Sequence, residues 1–277
     1  MDKQSILKPI LYVVLYLAVF MLLLNVFQLI AVYAFSYLEH INVNRVFAGM
    51  KTGRYSSVLV VGNVFSSLTT IVLFARLRWA VVTPDYLRSK PFGVMFWAAM
   101  LSLGSILPLE FIYEKMQLTM PEGSRQLFEG VMKESWGYLV IGVLVPVAEE
   151  FVFRGAILRS LLGLFGKKWT WLAIALSALI FGAIHFNMAQ GLHAFVAGIV
   201  LGWMYARTSS VVPGIVFHWV NNTVAYLIFN LMPQMSDGQL IDLFHSNDRM
   251  MMASLLFSLC ILVPALFQLA VRMKRAA

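Results

Sequence analysis

The sequence predicts an all-α, polytopic membrane protein of about eight transmembrane helices with a polar active site in the helical core. Three observations predict it. Of 277 residues, 60% are hydrophobic and only 12% charged, and the mean hydropathy is +0.80, a composition foreign to soluble domains. Apolar runs of roughly 15–26 residues recur along the chain, about the length a helix needs to cross a hydrocarbon core. Two adjacent carboxylates, Glu149 and Glu150, close one such run, where an ionisable group is costly unless it is paired or faces a polar cavity. The other Asp and Glu residues fall at loop, tail or helix-end positions, so this pair is not background composition.

Backbone groups in lipid must be satisfied within the segment, and continuous runs do not alternate as barrel strands do, so each run is read as a helix. Ile10–Phe35 follows Lys3 and Lys8. It exceeds the apolar core of a signal peptide, and no small-residue cleavage motif ends it, so it is read as a retained first span. Ser56–Ala75 and Phe92–Leu109 are the second and third. Glu110–Ser135 sets five glutamates among apolar residues and reads either as an interfacial amphipathic segment that could act as a lid or as a solvated connector. Trp136–Phe165 is a fourth span interrupted by charge, and Trp169–Phe186 is the fifth. The short sixth, Leu192–Ala206, carries Gly198 and Gly202, a small-residue face suited to close helix packing. Val211–Phe229 is the seventh. A polar loop, Asp237–Arg249, precedes the eighth, Met252–Val271, in which the single cysteine, Cys260, is expected to be a buried small hydrophobe. One cysteine excludes an intrachain disulfide and a cysteine-rich metal site. The chain thus divides into N-terminal helices with a connecting segment (1–135), a core bearing the polar motifs (136–229), and a loop with a last helix (230–277).

An even number of spans puts both termini on one side, and that side carries about two-thirds of the 21 Lys and Arg residues. The positive-inside rule makes it the cytoplasm. The net charge of +8 is then a matter of topology and contact with anionic lipid. No basic cluster is interleaved with exposed aromatics, so no nucleic-acid partner is expected.

Polar groups recur at helical spacing within the spans. Glu150 and Arg154 are one turn apart and can pair on one face, whereas Glu149 points about 100° away. The two carboxylates can therefore differ in role, one held by the arginine and one left free. His185 follows Lys168 by nearly the same number of residues as Glu149 precedes Lys167, so an antiparallel hairpin sets both about 26 Å from the Lys167-Lys168 turn, where one water could touch both. His218 and Asn222 share a face of the seventh span and can donate to one oxygen. Asn221 points elsewhere, to cap or pack, and His193 reads as a helix–helix hydrogen-bond partner.

Glu149-Glu150-x-x-x-Arg154, then Phe181-x-x-x-His185, then His218-x-x-x-Asn222 resembles the three-motif signature of the CPBP family, the CAAX-prenyl-protease and bacteriocin-processing (Abi) intramembrane endopeptidases. The similarity covers roughly Tyr138–Phe229. It implies an eight-helix α-fold, a catalytic core within 136–229, and hydrolysis of a peptide bond of a hydrophobic or lipidated peptide in the bilayer, with a bacterial plasma membrane as the setting. In that reading Glu149 is the general base, His185 orients the water, His218 and Asn222 stabilise the oxyanion, and Glu150 with Arg154 supplies electrostatic support. The family has also been described as metal-dependent. A metalloprotease with zinc held by Glu149, His185 and His218 is the alternative to the favoured metal-free glutamate mechanism, although no His-Glu-x-x-His helix is present.

Other readings are fewer. No Gly-x-Ser-Gly motif supports a serine protease, and all five aspartates lie outside the spans. A proton-coupled carrier using Glu149, Arg154 and His185 is conceivable, but such carriers show two related halves, and here the polar residues cluster in the second half with no counterpart in the first. A catalytically idle scaffold or bacteriocin-immunity protein on the same fold is the remaining alternative.

Overall fold

A computed structural model describes residues 3–81, 84–232 and 240–273, and every regular element among them is helical. The chain runs through α1 (Lys3–Leu38), α2 (Val43–Lys51), α3 (Ser56–Arg76), α4 (Pro84–Arg88), α5 (Phe92–Lys115) and α6 (Glu122–Lys133). A continuous mixed helix follows, built of a π segment Leu139–Leu144, α7 (Val145–Glu150), a second π segment Phe151–Leu158 and α8 (Arg159–Phe165). The chain then forms α9 (Thr170–Ala183), α10 (Met188–Thr208), α11 (Val212–Leu231) and α12 (Asp248–Arg272).

Six of these, α1, α3, α5, α10, α11 and α12, are long and apolar enough to cross a membrane. The expected count of eight is therefore approximate. The fourth predicted span is the mixed helix, and the fifth is only 14 residues long, about 21 Å against a hydrocarbon core of roughly 30 Å. The outer surface is apolar. Leu7, Leu11 and Val14 of α1 and Phe257, Val263 and Phe267 of α12 are exposed, as lipid-facing side chains are. Cys260 lies on this exposed surface, a correction to its expected burial: lipid receives a small hydrophobe as readily as a protein core does.

The connecting segment after the third span is two pieces. α5 continues to Lys115, and α6 is an amphipathic helix. Its apolar side buries Gly130, Val131 and Met132, and its polar side pairs Glu122 with Arg125 and Glu129 with Lys133. Hydrogen bonds from Gln126 and then Arg125 hold the Glu122 carboxyl below the usual carboxylate range. In the predicted polar loop, Leu240–Phe244 forms a 3-10 turn tied to α5 by the Leu240 amide donating to Glu114 (2.7 Å). Asp237 lies outside the described residues, as do Lys274 and Arg275, which contributed to the charge asymmetry.

The Gly198/Gly202 face packs against α9. A Cβ at Gly198 would lie 2.9 Å from the Ala178 Cβ, and one at Gly202 would lie 2.9 Å from Ile174. This close approach locks α9 to α10 and so fixes the turn between them. Gly198→Val should lower the thermal midpoint of the purified protein in detergent, by about 1–3 kcal/mol of overpacking, with Gly163→Val, which meets open space, as the control that leaves it near wild type.

Candidate functional site

The site begins with a proline. Pro146 has no N–H to give the preceding turn, and an α-helical ring there would press on the carbonyl four residues back. The chain widens into the π segment Leu139–Leu144 just before it, and a second π segment starts at Phe151. Single turns of π-helix are rare and concentrate at functional sites. Between the two, α7 carries both glutamates as a short α-helical step.

Glu150 and Arg154 are 0% and 1% exposed, and Arg154 Nη1 donates to Glu150 Oε1 at 3.0 Å. The guanidinium lies 4.4 Å from the centre of the Phe181 ring, a cation–π contact from α9. Two glycines make room for the pair. A Cβ at Gly214 of α11 would come within 2.6 Å of Glu150 Oε2, and one at Gly198 of α10 within 3.3 Å of Arg154 Nη2. No group among the described residues hydrogen-bonds Glu150 Oε2, Arg154 Nε or Arg154 Nη2.

His218, on α11, stands between the two acids. Its Nδ1 lies 3.4 Å from Glu150 Oε1, and since a carboxylate accepts, Nδ1–H donates. Its Nε2 faces Glu149 Oε2 at 3.7 Å. His185 is not inside a helix as the fifth predicted span has it. α9 stops at Ala183, and His185 sits in the turn before α10. Its Nδ1 is 2.9 Å from the Phe181 carbonyl, which can only accept, so Nδ1 carries the proton and Nε2 is left for the cavity. The His185 amide donates to Gly182 O instead of the carbonyl its ring has taken, which helps end the helix. Asn187 pins this turn. It caps α10 by accepting from the Gln190 amide (2.9 Å) and donates to the His185 carbonyl (2.9 Å).

Glu149 and His185 line one cavity of about 290 Å³. This agrees with the equal depth inferred from the hairpin. Asn222 lies one turn from His218 on α11 and makes contacts of its own. Its Nδ2 donates to the Ile141 carbonyl in the first π segment (2.9 Å), and its Oδ1 accepts from Asn221 (3.3 Å), so it docks α11 on the mixed helix. Asn221 Nδ2 lies 3.4 Å from His193 Nε2, joining α11 to α10.

Several contributors were given no role in the sequence. Phe181, the first residue of the second motif, lies between Arg154, His185 and His218 and meets both imidazoles edge-on, with ring centres 5.3 Å and 6.1 Å apart. Pro146 was visible as a proline inside an apolar run. The cavity is also lined by Asn25, Asn63 and Ser67 of α1 and α3, so the first half does have polar counterparts to the second. The rule that singled out Glu149, polar groups in mid-span, would have found both asparagines.

Among the described residues, no three His, Cys, Asp or Glu side chains are grouped so as to hold a metal ion. Both imidazoles place Nδ1 at a protein oxygen, and Nε2 of His218 faces Glu149.

Residues 132–224 match the family model described as type II CAAX prenyl endopeptidase Rce1-like. The match covers about a third of the chain and contains all three motifs, so the resemblance to the CPBP family is borne out for this segment. No curated protein and no solved structure matches the chain significantly.

Removing one member of a buried ion pair strands the other. Arg154→Met should therefore cost about 3–5 kcal/mol of stability, read as a lowered thermal midpoint in detergent, and the double variant Glu150→Leu/Arg154→Met should recover most of the loss.

Proposed function

We propose that the protein is an intramembrane endopeptidase that hydrolyses a peptide bond of a membrane-associated or lipidated peptide, with Glu149 as general base. The observation that carries this reading is the shared cavity of Glu149 and His185 beside a buried Glu150–Arg154 pair, inside the segment that matches the prenyl endopeptidases. Glu149 is 9% exposed and borders the cavity, whereas Glu150 is wholly enclosed, so only the first carboxylate can meet a water and a substrate.

The chemistry follows from the atoms available. A water in the cavity gives its proton to the Glu149 carboxylate as its oxygen attacks the scissile carbonyl carbon. His185 accepts a hydrogen bond from that water at Nε2 and orients it. The carbonyl oxygen gains the negative charge. His218 donates to it from Nε2, and the contact of its Nδ1 with Glu150 holds the ring in place. The C–N bond then breaks as Glu149 returns the proton to the leaving nitrogen, and the products are a carboxylic acid and an amine, the acid's remaining proton passing to the amine to give a carboxylate and an ammonium. Asn222 acts here by holding α11 against the mixed helix. An oxyanion contact from it would use the second hydrogen of its amide. No step is routed through a metal. The charge asymmetry supports both termini being cytoplasmic, and the plasma-membrane setting is what the family resemblance implies.

Protein reconstituted in nanodiscs should cleave a farnesylated CAAX-type peptide, with the products identified by mass spectrometry. Glu149→Gln should lower the rate at least about a hundredfold without shifting the thermal midpoint by more than a few degrees. Cells carrying that variant should accumulate an uncut membrane precursor. Equal cleavage by wild type and variant rejects the role of Glu149, and an unchanged cellular phenotype favours the idle scaffold.

Activity should survive chelation, and purified protein should carry no stoichiometric metal. A bound ion whose removal abolishes cleavage overturns the metal-free scheme.

A further inference from the structure

We infer that Asn25 and Asn63, from helices outside the family-matched segment, form a binding subsite that holds the backbone N–H groups of an extended peptide beside Glu149. The inference rests on the hydrolase reading and assigns its substrate contacts.

Both asparagines lie well inside spanning helices, Asn25 on α1 and Asn63 on α3. A primary amide at such depth is costly in hydrocarbon unless it meets a polar partner. Each satisfies half of itself locally. Asn25 Nδ2 donates to Met21 O at 2.7 Å and Asn63 Nδ2 donates to Leu59 O at 2.8 Å, both one turn back on their own helices. These bonds orient the amides and leave each Oδ1 as an acceptor with no hydrogen bond from the described residues. Both side chains border the cavity that Glu149 and His185 share.

A peptide cleaved in the bilayer brings a matching need. It must be extended at the scissile bond for water to reach the carbonyl, so its N–H groups lose their helical acceptors, and water is scarce there. Each unsatisfied group is expensive. Two carbonyl oxygens on adjacent helices, one on each, suit alternate N–H groups (i and i+2), which point to the same side of one extended strand, as strand addition uses main-chain bonds for affinity. Apart from Ser67, the remaining lining is apolar, with Met21 and Leu24 from α1 and Phe186 from the turn before α10, and it receives apolar side chains. The subsite thus recognises backbone, and the lining sets an apolar preference.

The test uses full-length protein in nanodiscs and a farnesylated CAAX-type peptide, with a matched set carrying a backbone N-methyl at single positions flanking the scissile bond. Asn25→Leu and Asn63→Leu should each raise KM about tenfold while kcat changes less than threefold. On wild-type protein, N-methylation at one position should raise KM by a similar factor, and in the corresponding variant it should add nothing. The wild-type series needs no variant, so misfolding of an asparagine mutant does not spoil the test. Binding of the same peptide to Glu149→Gln, measured by fluorescence anisotropy, gives the affinities without cleavage. Wild-type cleavage with KM indifferent to both substitutions and to N-methylation overturns the subsite and leaves the hydrolase reading intact. Asparagine-dependent binding without cleavage by the wild type rejects the hydrolase and keeps the subsite. A peptide neither bound nor cut refutes both.

Discussion

A carboxylate and a guanidinium, each almost wholly removed from water, set the terms for the helices around them. Glu150 and Arg154 meet at 3.0 Å, both buried. Two charges so placed have lost several kcal/mol of hydration each, and only good geometry repays it. Three neighbours respond. α10 and α11 give up side chains at Gly198 and Gly214 where the pair needs room, and α9 lays the face of Phe181 under the guanidinium. His218 spends one ring nitrogen on Glu150 and thereby has its other nitrogen aimed at Glu149. The pair is thus the fixed point from which the position of the free carboxylate, the imidazole beside it and the packing of three helices follow.

The backbone around that pair departs from regular α-helix in ways lipid alone would not permit. A π segment on either side of α7 and a turn at His185 leave main-chain groups that need other partners. Side chains supply several of them. Asn222 reaches the Ile141 carbonyl, the His185 ring takes the Phe181 carbonyl, and Asn187 takes the His185 carbonyl and caps α10. Phe186 adopts φ +54°, a left-handed conformation that costs a bulky residue about 1–2 kcal/mol. The cavity lies where these irregularities gather, so the polar residues of the second half serve the backbone as much as the chemistry.

Much of this was legible in the residues because a bilayer imposes a simple rule, and some was not because the rule says nothing of neighbours. Long apolar runs announced α3 and α11 to within two residues, while α1 starts seven residues before its run and α5 ends six after it. α9 ends three residues short of its expected span, and α10 starts four before its own. Asn187, which looks like loop, is the cap of α10, so that helix starts at Met188 and not Leu192. The i,i+4 spacing of Glu150 and Arg154 sufficed for their contact, since both partners are local. Asn222 shares a face with His218, but its partner, Ile141, is 81 residues away, and no spacing encodes that. The asparagines of α1 and α3 were overlooked for a different reason. Each is an uncharged amide in an apolar run, a quieter signal than a charge.

The cavity is assembled from two sources. Its acid and imidazole come from the segment shared with the prenyl endopeptidases, and its opposite wall comes from α1 and α3, which that similarity does not reach. Changes in those two helices can therefore alter what is admitted while leaving the acid untouched. Selectivity and reactivity are physically separable here, and a chain could acquire a new clientele by redrawing one side of a chamber.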